Sequence, residues 1–200
     1  SEYLVHSPSL GCSGLADVGC RVLLVQLPED PKRKSSHRIQ FSRVNEMWLD
    51  KLYTTYVCTN PQVAEHIVEY CLKNNALQCI RAQSYKGQVT YENSRFDFAG
   101  VDDKGNEFIL EVKAVPVADY HNVSKQEKKK MIKENTFVNK EPERKIAIFP
   151  DGYIKPSKVP IPQSERANKH ILELTHIKQT TQKRTLMMYV VQRSDVDSFV

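Results

Sequence analysis

The feature that most constrains this chain is the stretch 92–115, where two runs of aromatic and branched residues flank the polar cluster Asp102-Asp103-Lys104-Gly105-Asn106. Such a pattern reads as a β-hairpin. Its arms are Glu92-Asn93-Ser94-Arg95-Phe96-Asp97-Phe98 and Phe108-Ile109-Leu110-Glu111-Val112-Lys113-Ala114-Val115. Strand side chains alternate between faces, so Glu111 and Lys113 share one face while Leu110, Val112 and Ala114 share the other. Asp97 can join the charged pair from the neighbouring strand. Two carboxylates and a lysine converging at a strand end have the chemistry to hold a hard divalent cation and to orient or deprotonate a water, the core of a metal-dependent phosphodiesterase site. The same spacing also fits a solvated strand face with a weak surface ion pair. The apolar setting favours the first reading, because interior strands seldom carry charges that are neither paired nor metal-bound.

At 200 residues the chain is long enough for one sizeable core or two small domains, and 40% hydrophobic with 26% charged residues is an ordinary globular balance. No apolar run approaches membrane-spanning length, and the first residues lack a signal peptide's pattern, so the expectation is an intracellular protein, cytoplasmic or nuclear/nucleoid, with no membrane partner. Cys12, Cys20, Cys58, Cys71 and Cys79 show no Cys-x-x-Cys spacing and read as reduced thiols rather than disulfides or zinc ligands. A net charge of +5 suits a polyanionic partner. Basic residues cluster at Lys32-Arg33-Lys34, at Lys125 with Lys128-Lys129-Lys130, and at Arg166 with Lys169. Each cluster can bind phosphates, and each alone also fits a solvated loop or helix face.

Around the hairpin the chain alternates strand and helix signals. Segment 1–44 reads as β-rich: the nearly continuous apolar run 20–27 is one strand, stopped by Pro28-Glu29-Asp30-Pro31. The run 37–44 alternates as a second, with Ile39, Phe41 and Arg43 on one face. Short strands of this kind fit part of a small barrel, whose basic loop sits where a barrel can meet a phosphate backbone. A helix follows. Asn60 is a good N-cap, Pro61 suits the first position, and Val63, Ile67, Val68, Cys71 and Leu72 recur at helical spacing until Asn74-Asn75. Glu65 and Glu69 lie one turn apart beside that stripe, either solubilising or with one turned inward to complete the carboxylate cluster. Residues 77–81 and 88–91 are strand signals leading into the hairpin. The polar insertion 118–144 carries a capping box, Ser124 with Glu127, opening a short basic helix over 125–134. Its apolar residues are only Met131 and Ile132, so it is expected to be mobile or to order on a partner. A strand at 145–149 and a turn at Pro150-Asp151-Gly152 lead to a last helix capped by Ser164. There Ala167, Ile171, Leu174 and Ile177 line one face, while Arg166, Lys169, His170 and Glu173 occupy others. The apolar strand 185–191 reads as buried on both faces of a sheet.

Five ordered blocks carry a resemblance. They are Glu92-Asn93-Ser94-Arg95-Phe96-Asp97-Phe98, Glu111-Val112-Lys113-Ala114-Val115, Ile148-Phe149-Pro150-Asp151, Arg166-Ala167-Asn168-Lys169-His170-Ile171-Leu172-Glu173-Leu174 and Val191-Gln192-Arg193-Ser194-Asp195-Val196. In this order they resemble the motifs of the sugar fermentation stimulation protein family, and the similarity covers most of the chain. It implies an α/β, mixed α+β protein: a partial N-terminal OB-like β-barrel over 1–45, then a three-layer domain with a mixed central sheet over 46–200. That second domain resembles the PD-(D/E)xK nucleases and holds the basic insertion 118–144. The chain opens near the family's histidine motif, with Ser7, Ser9 and Leu10 in place of its usual residues. Ala167 stands where the family usually has glycine.

The resemblance further implies nucleic-acid binding, to DNA or RNA, and hydrolysis of phosphodiester bonds by a nuclease with magnesium or manganese as cofactor. Asp97 and Glu111 match the metal-binding acids, Lys113 the nuclease lysine, and Glu69 the helical glutamate that often supplements them. Arg95, Arg166, Lys169 and His170 match polar positions that touch phosphate, alongside the loop Lys32-Arg33-Lys34. In such a site Lys113 helps generate the attacking hydroxide while the metal stabilises the departing oxygen. Two other readings stand beside it: a non-catalytic DNA-binding or regulatory module, and a protein-interaction module docking through 118–144. A homodimer is also compatible with the sequence.

Overall fold

The computed structural model describes residues 3–8, 14–123, 125–137, 140–149 and 165–200. In chain order the elements are β1 (Val5–His6), β2 (Arg21–Gln26), β3 (His37–Trp48), β4 (Lys51–Cys58), α1 (Pro61–Lys73), β5 (Ala82–Tyr91), β6 (Ser94–Asp102), β7 (Glu107–Val115), β8 (Ala118–Asp119), α2 (Lys125–Lys133), β9 (Lys145–Ala147), α3 (Glu165–Thr180), β10 (Arg184–Val191) and β11 (Val196–Phe199). The fold is mixed α/β. The backbone divides into two compact units, one of Ser1–Pro61, Val115–Phe149 and Val191–Val200, the other of Gln62–Ala114 and Pro150–Val190. Ser9, Leu10, Cys12, the Ser124 and Ser164 caps and the turn at Pro150-Asp151-Gly152 lie outside the described residues. Among the described residues no helix is long and apolar enough to cross a membrane. The described cysteines Cys20, Cys58, Cys71 and Cys79 are free thiols.

The first unit is built on the long strand β3, which pairs with β2 and β4 antiparallel and with β1 parallel. A second sheet takes β11, β9 and β8 in that order. Among the described residues these sheets do not close into a barrel. Strand β4 is not among the strands expected from the sequence, although its Tyr53, Thr54, Thr55, Tyr56 and Val57 are strand-forming residues. Its hairpin with β3 turns at Leu49 and Asp50, both left-handed (φ 47° and 59°), between the paired residues Trp48 and Lys51. Two-residue hairpin turns want positive φ and are usually signalled by Asn-Gly or Asp-Gly; here Asp50 suits the conformation but Leu49 does not, so the marker is weak. The apolar strand β2 is also more open than its composition implies: Leu23, Leu24 and Val25 are all exposed.

The second unit is a three-layer sandwich. Its sheet runs β10-β7-β6-β5, with β5, β6 and β7 a continuous antiparallel meander. Alternation along β7 sends Phe108, Leu110 and Val112 into a core with Ala64, Val68 and Leu72 of α1, and Ile109 into a second core with Leu174 and Ile177 of α3. Each helix therefore covers one face of the sheet. Helix α1 ends in a Schellman motif: Asn75 is left-handed (φ 50°), its N–H donates to Leu72 O, and Ala76 N–H donates to Cys71 O.

The β6–β7 hairpin forms as expected. Gly105 is left-handed at its tip (φ 80°), and the buried Asp102 carboxylate accepts the N–H groups of Lys104 and Asn106. Arg184 reaches the same carboxylate at 2.6 Å. Burial pushes the Asp102 pKa up, but Arg184 and the turn's donors overcome it and hold the carboxyl down at about 2.

Four expectations need correction. Glu92 belongs to a tight turn, with φ 50°, rather than to a strand; the ladder closes at Tyr91 and Ser94. Segment 77–81 is irregular: Leu77 and Ile80 pack on the first core without joining a ladder, a common ambiguity of short apolar runs. Strand β10 is half-buried throughout and lies at the edge of the sheet, so its apolar sequence does not mark a central strand. On α3 the buried stripe is Ala167, His170, Leu174 and Ile177, while Ile171 is 38% exposed. Either set satisfies i, i+3/i+4 spacing, and the histidine takes the place assigned to the isoleucine.

Candidate metal and phosphodiester site

The site grows from a defect in the β6–β7 ladder. Pairing runs from Val101–Glu107 to Phe98–Leu110 and stops there. Beyond it the strands part, and the Asp97 carboxylate rather than a carbonyl accepts the N–H of Val112, at 2.7 Å. That bond fixes Asp97 beside the strand carrying Glu111 and Lys113.

Glu111 is 3% exposed and shares the α3 side of the sheet with Lys113. Its Oε1 takes two partners, the Lys113 ammonium and the Nδ1 of His170 at 2.5 Å. The His170 ring is itself buried, tilted on Phe96 with centroids 5.6 Å apart, and Nδ1 lies 3.4 Å from Lys113 Nζ. Glu111 Oε2 is buried with no hydrogen-bond partner among the described residues. A buried carboxylate oxygen left unpaired is costly and calls for a positive partner.

Two further carboxyls share this environment. Burial raises the Asp97 pKa, and the Glu111 charge adds to it, against the Val112 N–H and the Lys113 charge. Burial likewise raises Glu65 of α1, followed by the Asp97 charge. Gln88 joins the two acids: its Nε2 donates to Glu65 Oε2 at 3.0 Å and lies 3.5 Å from Asp97 Oδ1. It does so from the middle of β5 with φ 54°, a strained conformation for a non-glycine residue and one that tends to mark functional sites.

The expected site residues are thus distributed as follows. Asp97, Glu111 and Lys113 come together. Glu65, one of the two helical acids weighed, reaches them, whereas Glu69 is exposed one turn further along α1. His170, expected to touch phosphate, is instead packed beneath Glu111. Arg95, Arg166 and Lys169 are exposed, with Lys169 Nζ 3.6 Å from Glu173. Lys32, Arg33 and Lys34 are exposed in the other unit, where Arg33 donates to Pro28 O at 2.7 Å. Sequence reasoning missed the contact of His170 with Glu111, which its place on the stripe 167-170-174-177 signals, and it missed Gln88, for which the sequence holds no signal.

The donor set fits a hard cation. Among the described residues no three His, Cys, Asp or Glu side chains form a ready cation cage. An open set of two carboxylates, one with an orphaned buried oxygen, suits an ion that keeps waters and takes the rest of its shell from a substrate phosphate.

Comparison with known proteins agrees with this architecture. Residues 62–125 and 118–200 match the model of the sugar fermentation stimulation protein RE domain. The sugar fermentation stimulation protein homolog of Clostridium novyi (strain NT) is 28% identical over 199 residues, covering 99% of this chain and 68% of that protein. The homolog of Clostridium tetani is 27% identical over 200 residues with the same coverage. The structure of Pyrococcus furiosus SfsA in complex with Ca2+ superposes with a TM-score of 0.55 at 17% identity, over 88% of this chain and 57% of that one. The chain therefore spans little more than half of that solved protein. With the family model matched along both halves of the α/β unit and beyond it, the chain belongs to the sugar fermentation stimulation protein family.

Proposed function

We propose that this protein binds nucleic acid and hydrolyses its phosphodiester bonds with a divalent cation, magnesium or manganese, held by Asp97 and Glu111. The observation that carries the reading is Glu111 itself, with one oxygen held by Lys113 and His170 and the other buried and unpaired. The calcium bound by the Pyrococcus furiosus protein supports a divalent ion at this fold. When bound, such an ion supplies charge for the transition-state phosphoryl oxygens and lowers the pKa of a coordinated water. The chain's own groups do the rest. Val112 N–H holds Asp97, His170 orients Glu111, and the Lys113 ammonium stands where it can orient the attacking water. The exposed Arg95, Arg166 and Lys169 of the same unit are the candidate phosphate contacts. We place Glu65, rather than Glu69, as the helical acid of the site, because Glu65 shares Gln88 with Asp97.

The test is cleavage of labelled DNA and RNA, single- and double-stranded, in magnesium, manganese or EDTA, by wild type and by Asp97→Asn and Lys113→Met variants. Metal-dependent cutting lost in both variants is the expected result. Retained salt-sensitive binding without any cutting favours the second reading, a non-catalytic DNA-binding module of the sugar fermentation stimulation type, which the exposed basic residues equally support.

A further inference from the structure

We propose that Gln88 is a positioning residue of the acid site: its side-chain amide holds Glu65 beside Asp97 in the cation-free protein, so that Glu65 already stands in place when a divalent cation arrives. The proposal rests on the cation site proposed above and adds to it a residue that acts through the acids rather than on the metal.

Register comes first. In the β5–β6 ladder Gly87 pairs with Phe98 and Val89 with Phe96, which leaves Gln88 opposite Asp97. Residues two apart on a strand normally share a face. Phe98 nevertheless belongs to the core under α1 and Phe96 to the core under α3, so β6 turns over at Asp97. Opposite that turn-over stands Gln88 with its left-handed backbone, φ 54°. Glycine or asparagine takes such a backbone at little cost, whereas glutamine takes it under strain. What glutamine adds is an amide on a side chain long enough to reach both β6 and α1.

That amide meets two acceptors, Glu65 Oε2 at 3.0 Å and Asp97 Oδ1 at 3.5 Å. Ionised carboxylates only accept, so the nitrogen and not the oxygen of the amide faces them. The two oxygens of Asp97 are held unequally. Val112 N–H fixes Oδ2 at 2.7 Å, while Oδ1 meets the long contact to Gln88 and is the oxygen a cation can take with least loss. Glu65 is less secure. It is half-buried on α1, the charges of Asp97 and Glu111 act against its own with His66 and Arg95 opposing them, and the bond from Gln88 is its one side-chain hydrogen bond among the described residues. A flexible side chain repelled in this way turns outward unless something holds it.

The amide's neutrality decides how it acts. A lysine or arginine in its place would hold the acids with a charge that an arriving ion has to displace, and a carboxylate would add to the repulsion. A neutral donor does neither. It orients Glu65 and Asp97 and leaves their negative charge to attract the ion.

The experiment is calcium titration calorimetry, with thermal melts in EDTA, on the full chain and on Gln88→Gly, Gln88→Asn, Glu65→Gln and the double variant Gln88→Gly/Glu65→Gln. Gln88→Gly relieves the left-handed strain and removes the amide, so the cation-free Tm should equal or exceed that of wild type while calcium affinity falls about 10–100-fold. Gln88→Asn suits the backbone and keeps an amide of shorter reach, and should show the same pattern. Because Gln88 acts through Glu65, the double variant should bind calcium within about twofold of Glu65→Gln alone. Terbium luminescence lifetimes in H2O and D2O count the waters on a bound ion, and Gln88→Gly should gain about one water as Glu65 leaves the ion. Wild-type calcium affinity in both Gln88 variants overturns the proposal. So do losses that add in the double variant, an unchanged water count, or a fall in Tm that matches the loss of affinity, which would make Gln88 a packing residue. A wild type that binds no calcium fails the acid-site reading itself, whereas a wild type that binds calcium no better than its Gln88 variants fails this proposal alone.

Discussion

Replacing His170 with phenylalanine separates the two things its ring does. The ring is 4% exposed and packs on Phe96, while Nδ1 approaches Glu111 Oε1 at 2.5 Å. Phenylalanine preserves ring volume and the aromatic contact but removes the polar one. A hydrogen bond to a charged group contributes about 1.5–3 kcal/mol, and Lys113 still serves the same oxygen, so the loss in cation-free stability should fall near the lower figure. At 2–4 °C for each kcal/mol in a chain of this size, that is a drop of roughly 3–6 °C in Tm. His170→Ala adds an unfilled ring-sized space and should cost about 3–5 kcal/mol. The functional consequence is separate: with Oε1 held less firmly, Oε2 is no longer presented in one orientation. Loss of such an orienting partner typically lowers metal affinity about 10–100-fold. Calcium titration calorimetry and urea unfolding in EDTA read both effects. Wild-type calcium affinity in His170→Phe would refute the orienting role, and equal destabilisation by Phe and Ala would refute the division between volume and polarity.

Other consequences are as direct. Asp97→Asn should raise cation-free stability at neutral pH, because a carboxyl whose folded pKa is raised stabilises only below its unfolded value and loses that contribution as pH rises through the folded one. The same variant should abolish the gain, about 2.7 kcal/mol, that calcium at a hundred times its Kd gives the wild type, as read by thermal melts with and without the ion. Asp102 works in the opposite sense. Its folded pKa of about 2 lies below the unfolded value of about 3.9, so its contribution is complete above that value and disappears as pH falls through 2; Asp102→Asn should flatten acid unfolding in this window. Gly100→Ala would set a Cβ 2.0 Å from Ser84 O and 2.8 Å from Tyr85 Cα, which only separation of β5 from β6 relieves; urea titration should show at least about 3 kcal/mol lost. Lys145→Met leaves Glu46 without its cation and Asp195 with Arg193 alone, and should cost about 1.5–3 kcal/mol by the same measurement without altering calcium affinity.

What the sequence makes legible follows from which signals are local. Gly105 and Asn106 announce the β6–β7 turn, and period-two alternation by itself places Glu111 and Lys113 on one face. The turn at Leu49-Asp50 is equally sharp but has only Asp50, with no glycine or asparagine, to mark it, so the hairpin of β3 and β4 is easily missed. Burial is misjudged where it depends on neighbours: β2 and β10 are apolar in sequence, yet one is largely exposed and the other lies at a sheet edge. The site's long-range parts are least legible. Asp97 reaches Val112 only because the ladder stops at Phe98–Leu110, and Gln88 reaches Glu65 and Asp97 only through a left-handed backbone that no residue type announces.

Each unit contains a buried charged cluster, and the way the charges balance distinguishes their roles. In the first unit Asp195 receives Arg193 Nε and Nη2 at 2.6 and 2.7 Å and Lys145 Nζ at 2.6 Å. Burial pushes its pKa up, but these cations hold it below the ordinary carboxylate range. Lys145 also pairs with Glu46 and donates to Pro142 O, and Arg193 donates to Pro116 O. Two acids meet two bases and the remaining donors find carbonyls, so this network is complete and ties β3, β9 and the turn before β11 together without needing a ligand. In the second unit Glu65, Asp97 and Glu111 meet Lys113, with His170 on Glu111 and the His66 and Arg95 charges acting on Glu65; burial nonetheless raises the pKa of Glu65 and Asp97, and one Glu111 oxygen is orphaned. A surplus of buried negative charge weakens a fold unless something positive arrives to use it. On the function proposed above a cation answers that imbalance in the second cluster, whereas the first is complete without one, so Lys145 and Asp195, no less buried, belong to the framework.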